Sequence, residues 1–184
     1  PIYYNAGINN TLFAALFGGS KIFFSKNFNL LNFKNILKKS IKNKINTLHL
    51  MPSMFMIFNL NFSKDLKNFV KTLISIISTG SYLYSEVNNI FKKKYSKNID
   101  SCYGITEMGG ALTIKNNKNK FVDWNVGKVL KPINYFINKR KELTIKTPFE
   151  MEGYLNQNLT RILKKNKKKF FNTKDLAFIK NKQL

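Results

Sequence analysis

Tyr103, Thr106 and Glu107 fall within five positions in the stretch "IDSCYGITEMGG" (99–110), between a short apolar run and a pair of glycines. An aromatic ring, a hydroxyl and a carboxylate so gathered suit a nucleotide. The ring stacks on a base, the hydroxyl meets a phosphate oxygen, and the carboxylate holds the Mg²⁺ that accompanies phosphate. The same residues also suit a core aromatic at a strand end, a helix cap and a solvated charge, and the motif alone does not separate the two readings.

The elements that carry the motif read as α/β. The runs 20–25, 46–51, 73–79 and 98–103 are short, β-branched or aromatic and bounded by polar residues or glycine, which predicts buried strands. Between them, Leu30, Phe33, Leu37 and Ile41 in 29–44, and Val87, Ile90, Phe91 and Tyr95 in 84–97, recur at helical spacing. Strand and helix in alternation predict a parallel sheet with right-handed crossovers. In such a sheet ligands sit beyond the carboxyl ends of the strands. That places "STGSYL" (78–83), with Gly80 allowing close backbone approach, beside "YGITEMGG", where Gly104 gives Tyr103 a turn free of a bulky neighbour. After a polar, linker-like stretch (115–120) the pattern turns to antiparallel β. Strands are expected at 133–138, 142–146 and 175–180, with Gly153-Tyr154 and a short helical pattern before the last. The expected division is an α/β subdomain over 1–130 and a smaller β-rich one over 131–184, both parts of one larger domain.

Composition narrows the function. The formal charge is +23, yet 30 of the 32 basic residues are Lys. Specific phosphate and base contacts favour the bidentate guanidinium, so the excess reads as drift in an AT-rich genome and no specific nucleic-acid partner is expected. The single Cys102 and single His49 exclude an internal disulfide framework and a histidine-based metal cluster within these residues. A reducing compartment, the cytoplasm, is the default. The longest apolar run, "LHLMPSMFMIF", is interrupted and too short for a membrane span. Cys102 reads as packing, and His49 as a packed residue or pocket wall rather than a general base.

Read in order, "PIYYNAG" (1–7), "LFGGSKIFF" (16–24), "MPSMF" (51–55), "STGSYL", "CYGITE", "VGKVLKP" (126–132), "ELTIKTP" (142–148), "EGYLN" (152–156) and "FFNTKDLAFI" (170–179) resemble the adenylate-forming superfamily. That superfamily comprises acyl-CoA synthetases, peptide-synthetase adenylation domains and luciferases. The resemblance implies part of an acyl-CoA-synthetase-like large domain. It implies activation of a small-molecule carboxylic acid by ATP and Mg²⁺ through an acyl-adenylate, with transfer to CoA or a carrier phosphopantetheine. Carried over by position, Tyr103 stacks on adenine, Gly104 belongs to the same motif, Thr106 touches the α-phosphate, and Glu107 holds Mg²⁺. Gly80 and Ser81 line the adenine, and Asp175 binds the ribose hydroxyls. Tyr4, Gly7, His49 and Met108 border the acyl pocket, and the small Gly109-Gly110 pair with the apolar "MFMIF" favours an aliphatic or aromatic acid over an amino acid. Four positions depart from the family. Lys174 replaces the glycine before Asp175, Tyr4 the histidine of the first motif, and Ser81-Tyr82 an Ala-Pro pair. The family's phosphate loop is expected before residue 1, and its hinge and catalytic lysine after residue 184. A degenerate or truncated relative that keeps the fold as a binding or structural module is the alternative.

Overall fold

The computed structural model describes residues 4–25, 29–61, 63–116, 122–158, 162–164, 169–180 and 183–184. Pro1, most of the linker-like stretch and Arg161 lie outside them. The chain opens with α1 (Asn5–Gly7), a π-helical segment (Ile8–Phe13) and α2 (Ala14–Phe17), one continuous helical stretch. The expected strand at 20–25 is not one. Those residues have no ladder partner among the described residues, and β-like composition makes no strand without a neighbour to bond.

A five-stranded sheet in the order β1-β2-β3-β4-β5 follows. Its first three strands, β1 (Thr47–Leu50), β2 (Ser75–Ser78) and β3 (Asp100–Ile105), run parallel, with Leu48 opposite Ile76 and Ile77 opposite Asp100. The last two, β4 (Gly110–Lys115) and β5 (Lys128–Val129), were not expected; β4 runs antiparallel to both of its neighbours, β3 and β5, so the sheet is mixed. α3 (Phe33–Lys42) precedes β1, α4 (Pro52–Leu60) and α5 (Lys64–Thr72) form the first crossover, and α6 (Ser85–Tyr95) forms the second.

The helices follow local chemistry. Pro52 starts α4, where its missing N–H is no loss and its fixed φ suits the first turn. This proline splits the apolar run into a strand and a helix. At α5, the Ser63 hydroxyl accepts from Leu66 N at 3.1 Å as an N-cap, with Asp65 in the first turn. α6 carries Glu86 in its first turn and Lys92, Lys93 and Lys94 in its last, both favourable to the helix dipole.

These helices bury one apolar core against the sheet. Phe33, Phe55, Phe58, Phe91 and Tyr95 interlock there, with Phe33–Phe58 and Phe55–Phe91 edge to face at 5.1 and 5.6 Å. The buried Tyr95 hydroxyl donates to the carbonyls of Phe58 and Asn61, which ties α6 to the end of α4. The phenylalanines of "MFMIF" are therefore core residues, Phe55 being wholly inaccessible.

The second sheet, β10-β7-β6, is antiparallel, built from β6 (Asn134–Ile137), β7 (Glu142–Lys146) and β10 (Phe171–Leu176). β10 lies four residues earlier than the expected 175–180. The short helical pattern also gives way. Two turn residues follow β8 (Gly153–Leu155), and β9 (Ile162–Lys164) pairs with β8 as an antiparallel hairpin; the rest of that pattern lies outside the described residues. Leu143 and Ile145 of β7 pack with Met108, from the turn after β3, and Leu112 of β4, and this small core joins the two sheets beneath the motif. No helix among the described residues is long and apolar enough to cross a membrane.

Candidate nucleotide site

The motif stands at the carboxyl end of β3. The pairing between β3 and β4 shifts register between Tyr103 and Gly104, since Tyr103 faces Thr113 but Gly104 faces Ala111. The extra residue, Leu112, enters the core between the sheets. Gly104 is therefore not in a turn, as expected, but inside the strand. A Cβ on it would lie 2.0 Å from the Gly110 carbonyl oxygen, so glycine is required by backbone approach. A single 3₁₀ turn, Thr106–Met108, follows β3 and closes with Gly109 N donating to Thr106 O at 3.1 Å.

The Tyr103 hydroxyl donates to Asp175 Oδ2, across 72 residues of chain. Burial first, then this hydrogen bond and the charge of Asp175, hold the phenol well above its ordinary pKa, and the nearby Glu107 charge adds to the effect. Asp175 is presented by an irregular part of β10, where pairing with β7 shifts between Asn172 and Leu176. Thr173 Oγ1 donates to Leu143 O at 2.9 Å and accepts from Asp175 N at 3.1 Å. Lys174, at the family's glycine position, holds φ = +69°. The left-handed backbone that favours glycine is thus kept with a lysine on it.

Glu107 is half-buried, and the Tyr154 hydroxyl donates to its Oε1 at 3.0 Å. Its carbonyl accepts from Met151 N at 2.8 Å. Thr106 beside it is exposed. Met108, only 2% exposed, packs into the core between the sheets and so lies beneath this loop.

On the neighbouring loop after β2, Gly80 has φ = +89°, and a Cβ there would meet Met51 Cγ at 3.4 Å and the Tyr4 ring at 3.8 Å. Ser81 is exposed. Gly7, in α1, donates its N–H to Tyr4 O at 2.8 Å. His49 Nδ1 lies 3.3 Å from both Asn10 O and Thr11 Oγ1, its Nε2 is buried without a partner, and burial lowers its pKa. That is the environment of a neutral, packed imidazole.

Sequence reasoning gave no role to Tyr154, although "EGYLN" was among the matched motifs. It also missed Asp123 and Trp124. Trp124 stacks on Tyr82 with ring centroids 4.3 Å apart and 12° between planes, while the Tyr82 hydroxyl donates to Asp123 Oδ1 and accepts from Trp124 N, both at 2.7 Å. Burial and the Asp123 bond push the Tyr82 phenol up to about 12. The departure from Ala-Pro thus anchors the loop after β2 to the stretch before β5. The one tryptophan in the chain was the available signal.

Among the described residues, no three of His, Cys, Asp and Glu converge as a metal cage. Glu107 alone fits an ion that takes one carboxylate and fills its shell from phosphate and water, as Mg²⁺ does.

Comparison with known proteins follows the same lines. The chain superposes on ATP-bound MatB from Rhodopseudomonas palustris with a TM-score of 0.75 at 19% identity, over 94% of this chain and 35% of that one. It superposes on O-succinylbenzoate coenzyme A synthetase (MenE) from Bacillus subtilis at 0.76 and 15% identity, over 98% and 38%. A malonyl-CoA ligase holding methylmalonyl-CoA and AMP gives 0.74 and 15% identity, over 94% and 39%. The chain thus spans between a third and two fifths of the length of these structures. No curated protein matches it in sequence. The family model described as AMP-binding enzyme matches residues 1–155, and the chain belongs to that family.

Proposed function

We propose that this chain forms the nucleotide-facing part of an ATP-dependent acid–thiol ligase. A carboxylate oxygen of the acid attacks the α-phosphorus of ATP, and the bond to pyrophosphate breaks. The thiol sulfur of CoA, or of a carrier phosphopantetheine, then attacks the acyl carbon and AMP departs with the bonding pair. The observation that carries the reading is the meeting of Tyr103 and Asp175, 72 residues apart, beside the Glu107 carboxylate at the end of a parallel strand. In this reading the Tyr103 ring and the Gly80–Ser81 loop flank adenine, Asp175 accepts from the ribose hydroxyls, Thr106 meets the α-phosphate, and Glu107 holds Mg²⁺. Mg²⁺ supplies charge neutralisation on the triphosphate. The acyl group lies toward Tyr4, Gly7 and His49. The boundary near residue 130 belongs to the same reading, supported by the change from the mixed sheet to the antiparallel one. The resemblance to ATP-bound MatB, to a coenzyme A synthetase and to a malonyl-CoA ligase with methylmalonyl-CoA and AMP bound supports it as well.

The alternative of a degenerate relative is favoured by one observation, the lysine at φ = +69° next to the ribose acid. The test of function is Glu107→Gln in the full-length protein, read by acid-dependent exchange of pyrophosphate into ATP across a Mg²⁺ titration. The isosteric amide removes the charge and keeps the shape. Exchange is expected to fall by about 10²-fold or more, with unfolding nearly unchanged. Identical titration curves for mutant and parent refute the metal role.

A further inference from the structure

The backbone just after Glu107 is held by two side chains of the π-helical segment. Gly109 and Gly110 have φ of +82° and +126°, so the link from the 3₁₀ turn to β4 has little conformational preference of its own. Asn9 Nδ2 donates to Gly109 O at 3.0 Å and is aimed by the Asn5 Oδ1 that it also meets, at 2.6 Å. Ala111 N donates to Asn10 Oδ1 at 3.3 Å. The link is enclosed as well as bonded. A Cβ on Gly110 would lie 2.8 Å from Asn10 Oδ1, and one on Gly109 would lie 2.8 Å from Phe149 O.

That two consecutive residues serve one short loop depends on the helix type. Neighbours in an α-helix point about 100° apart. The wider i→i+5 winding of Ile8–Phe13 narrows that angle, so both amides reach the same three residues. The partners also fix the polarity of each amide, since a carbonyl only accepts and a backbone N–H only donates.

We infer that Asn9 and Asn10 are positioning residues that clamp Gly109–Ala111 and thereby fix Thr106 and Glu107 on their nucleotide-facing side. Met151 N, bonded to Glu107 O at 2.8 Å, is a further hold on the turn. The inference rests on the proposed roles of Thr106 and Glu107. A loose clamp leaves the acid-binding residues in place and misplaces the groups that meet the phosphates, so it acts on kcat.

The test uses Asn9→Ala, Asn10→Ala, Asn9→Asp and Asn10→Asp in the full-length protein. Two measurements are made, pyrophosphate exchange kinetics and hydrogen exchange at the Ala111 amide. Both alanine variants are expected to lower kcat about tenfold or more, with KM for the acid within about twofold. Asn10→Asp keeps the acceptor and recovers most of the loss. Asn9→Asp sets a carboxylate against the Gly109 carbonyl and recovers none. The Ala111 amide exchanges about tenfold faster in Asn10→Ala and at the parent's rate in Asn10→Asp. An active parent whose kinetics and Ala111 amide both ignore Asn10→Ala refutes the clamp and leaves the ligase reading intact. A parent without acid-dependent exchange refutes that reading, and the positioning role with it.

Discussion

Gly104→Ala isolates the backbone approach beneath the motif. The added methyl would stand 2.0 Å from Gly110 O, 2.6 Å from Gly110 C and 2.9 Å from Ala111 Cα, all backbone atoms that no rotamer change moves. Contact is optimal near 3.5–4.0 Å, so β3 and β4 must part by about 1.5 Å at the bulge. Two ladder hydrogen bonds are then lost or stretched, about 1 kcal/mol each. The overpacked joint between the sheets adds about 1–3 kcal/mol. A total of about 3–5 kcal/mol lowers Tm by about 6–20 °C in a unit of this size. Gly19→Ala is the control, because Gly19 has φ = +65° but nothing within 4 Å of its Cβ position. It meets only the left-handed strain, about 1 kcal/mol and a few degrees. Thermal unfolding followed by circular dichroism compares them. Equal losses in the two variants would falsify the claim that close packing, rather than backbone conformation, selects glycine at 104.

Three further outcomes are expected. Tyr154→Phe removes the hydroxyl that orients the Glu107 carboxylate, so the Mg²⁺ concentration for half-maximal exchange should rise about tenfold at nearly unchanged Tm. A Mg²⁺ curve that superimposes on the parent's removes Tyr154 from the site. Lys174→Gly relieves a side chain from φ = +69° and should raise stability by about 1 kcal/mol, or a few degrees of Tm; a lower Tm contradicts the strain. Burial depresses the His49 pKa, so the unfolded chain binds a proton that the folded one refuses. His49 thus adds stability fully present above its ordinary value of 6.5 and lost as pH falls through the lowered folded value. Urea midpoints at pH 7.5 and 5.5 should drop more in the parent than in His49→Gln, and equal drops contradict the neutral, buried imidazole.

Local pattern made some elements legible and left others hidden. β1, β2, β3, α3 and α6 were readable because their apolar residues recur at the periods of strand and helix. α4 was not, since "MFMIF" is apolar on every side, at its exposed Met56 as at its buried Phe55 and Phe58, and such a helix has no polar face to reveal its period. α5 carries Leu66, Phe69 and Val70 at helical spacing under a serine cap, a legible signal within a polar, Lys- and Asn-rich segment. The stretch 20–25 shows the opposite failure, since a strand is defined by its hydrogen-bonding neighbour and composition does not supply one. At the site, Tyr103 and Glu107 stood out by type and spacing, and Asp175 through the resemblance. The bonds Tyr154–Glu107 and Asn9–Gly109 span 47 and 100 residues, and nothing in the local sequence at either end of such a pair announces its partner.

The bond between Tyr103 and Asp175 also sets an order of events during synthesis. A ribosome adds about 5–20 residues each second, so about 4–14 s pass between incorporation of the tyrosine and of the aspartate 72 residues later. Throughout that interval the nascent chain holds the aromatic half of the site without the acid that engages its hydroxyl. The ring is then without that anchor, and Leu143 and Ile145, which seal the small core beneath it, arrive only part-way through the interval. A cell that slows translation over residues 104–175 prolongs this half-built state, in which the apolar faces of Met108 and Leu112 await their cover. Synonymous codon changes in that window therefore act on the yield of folded protein without altering a single side chain.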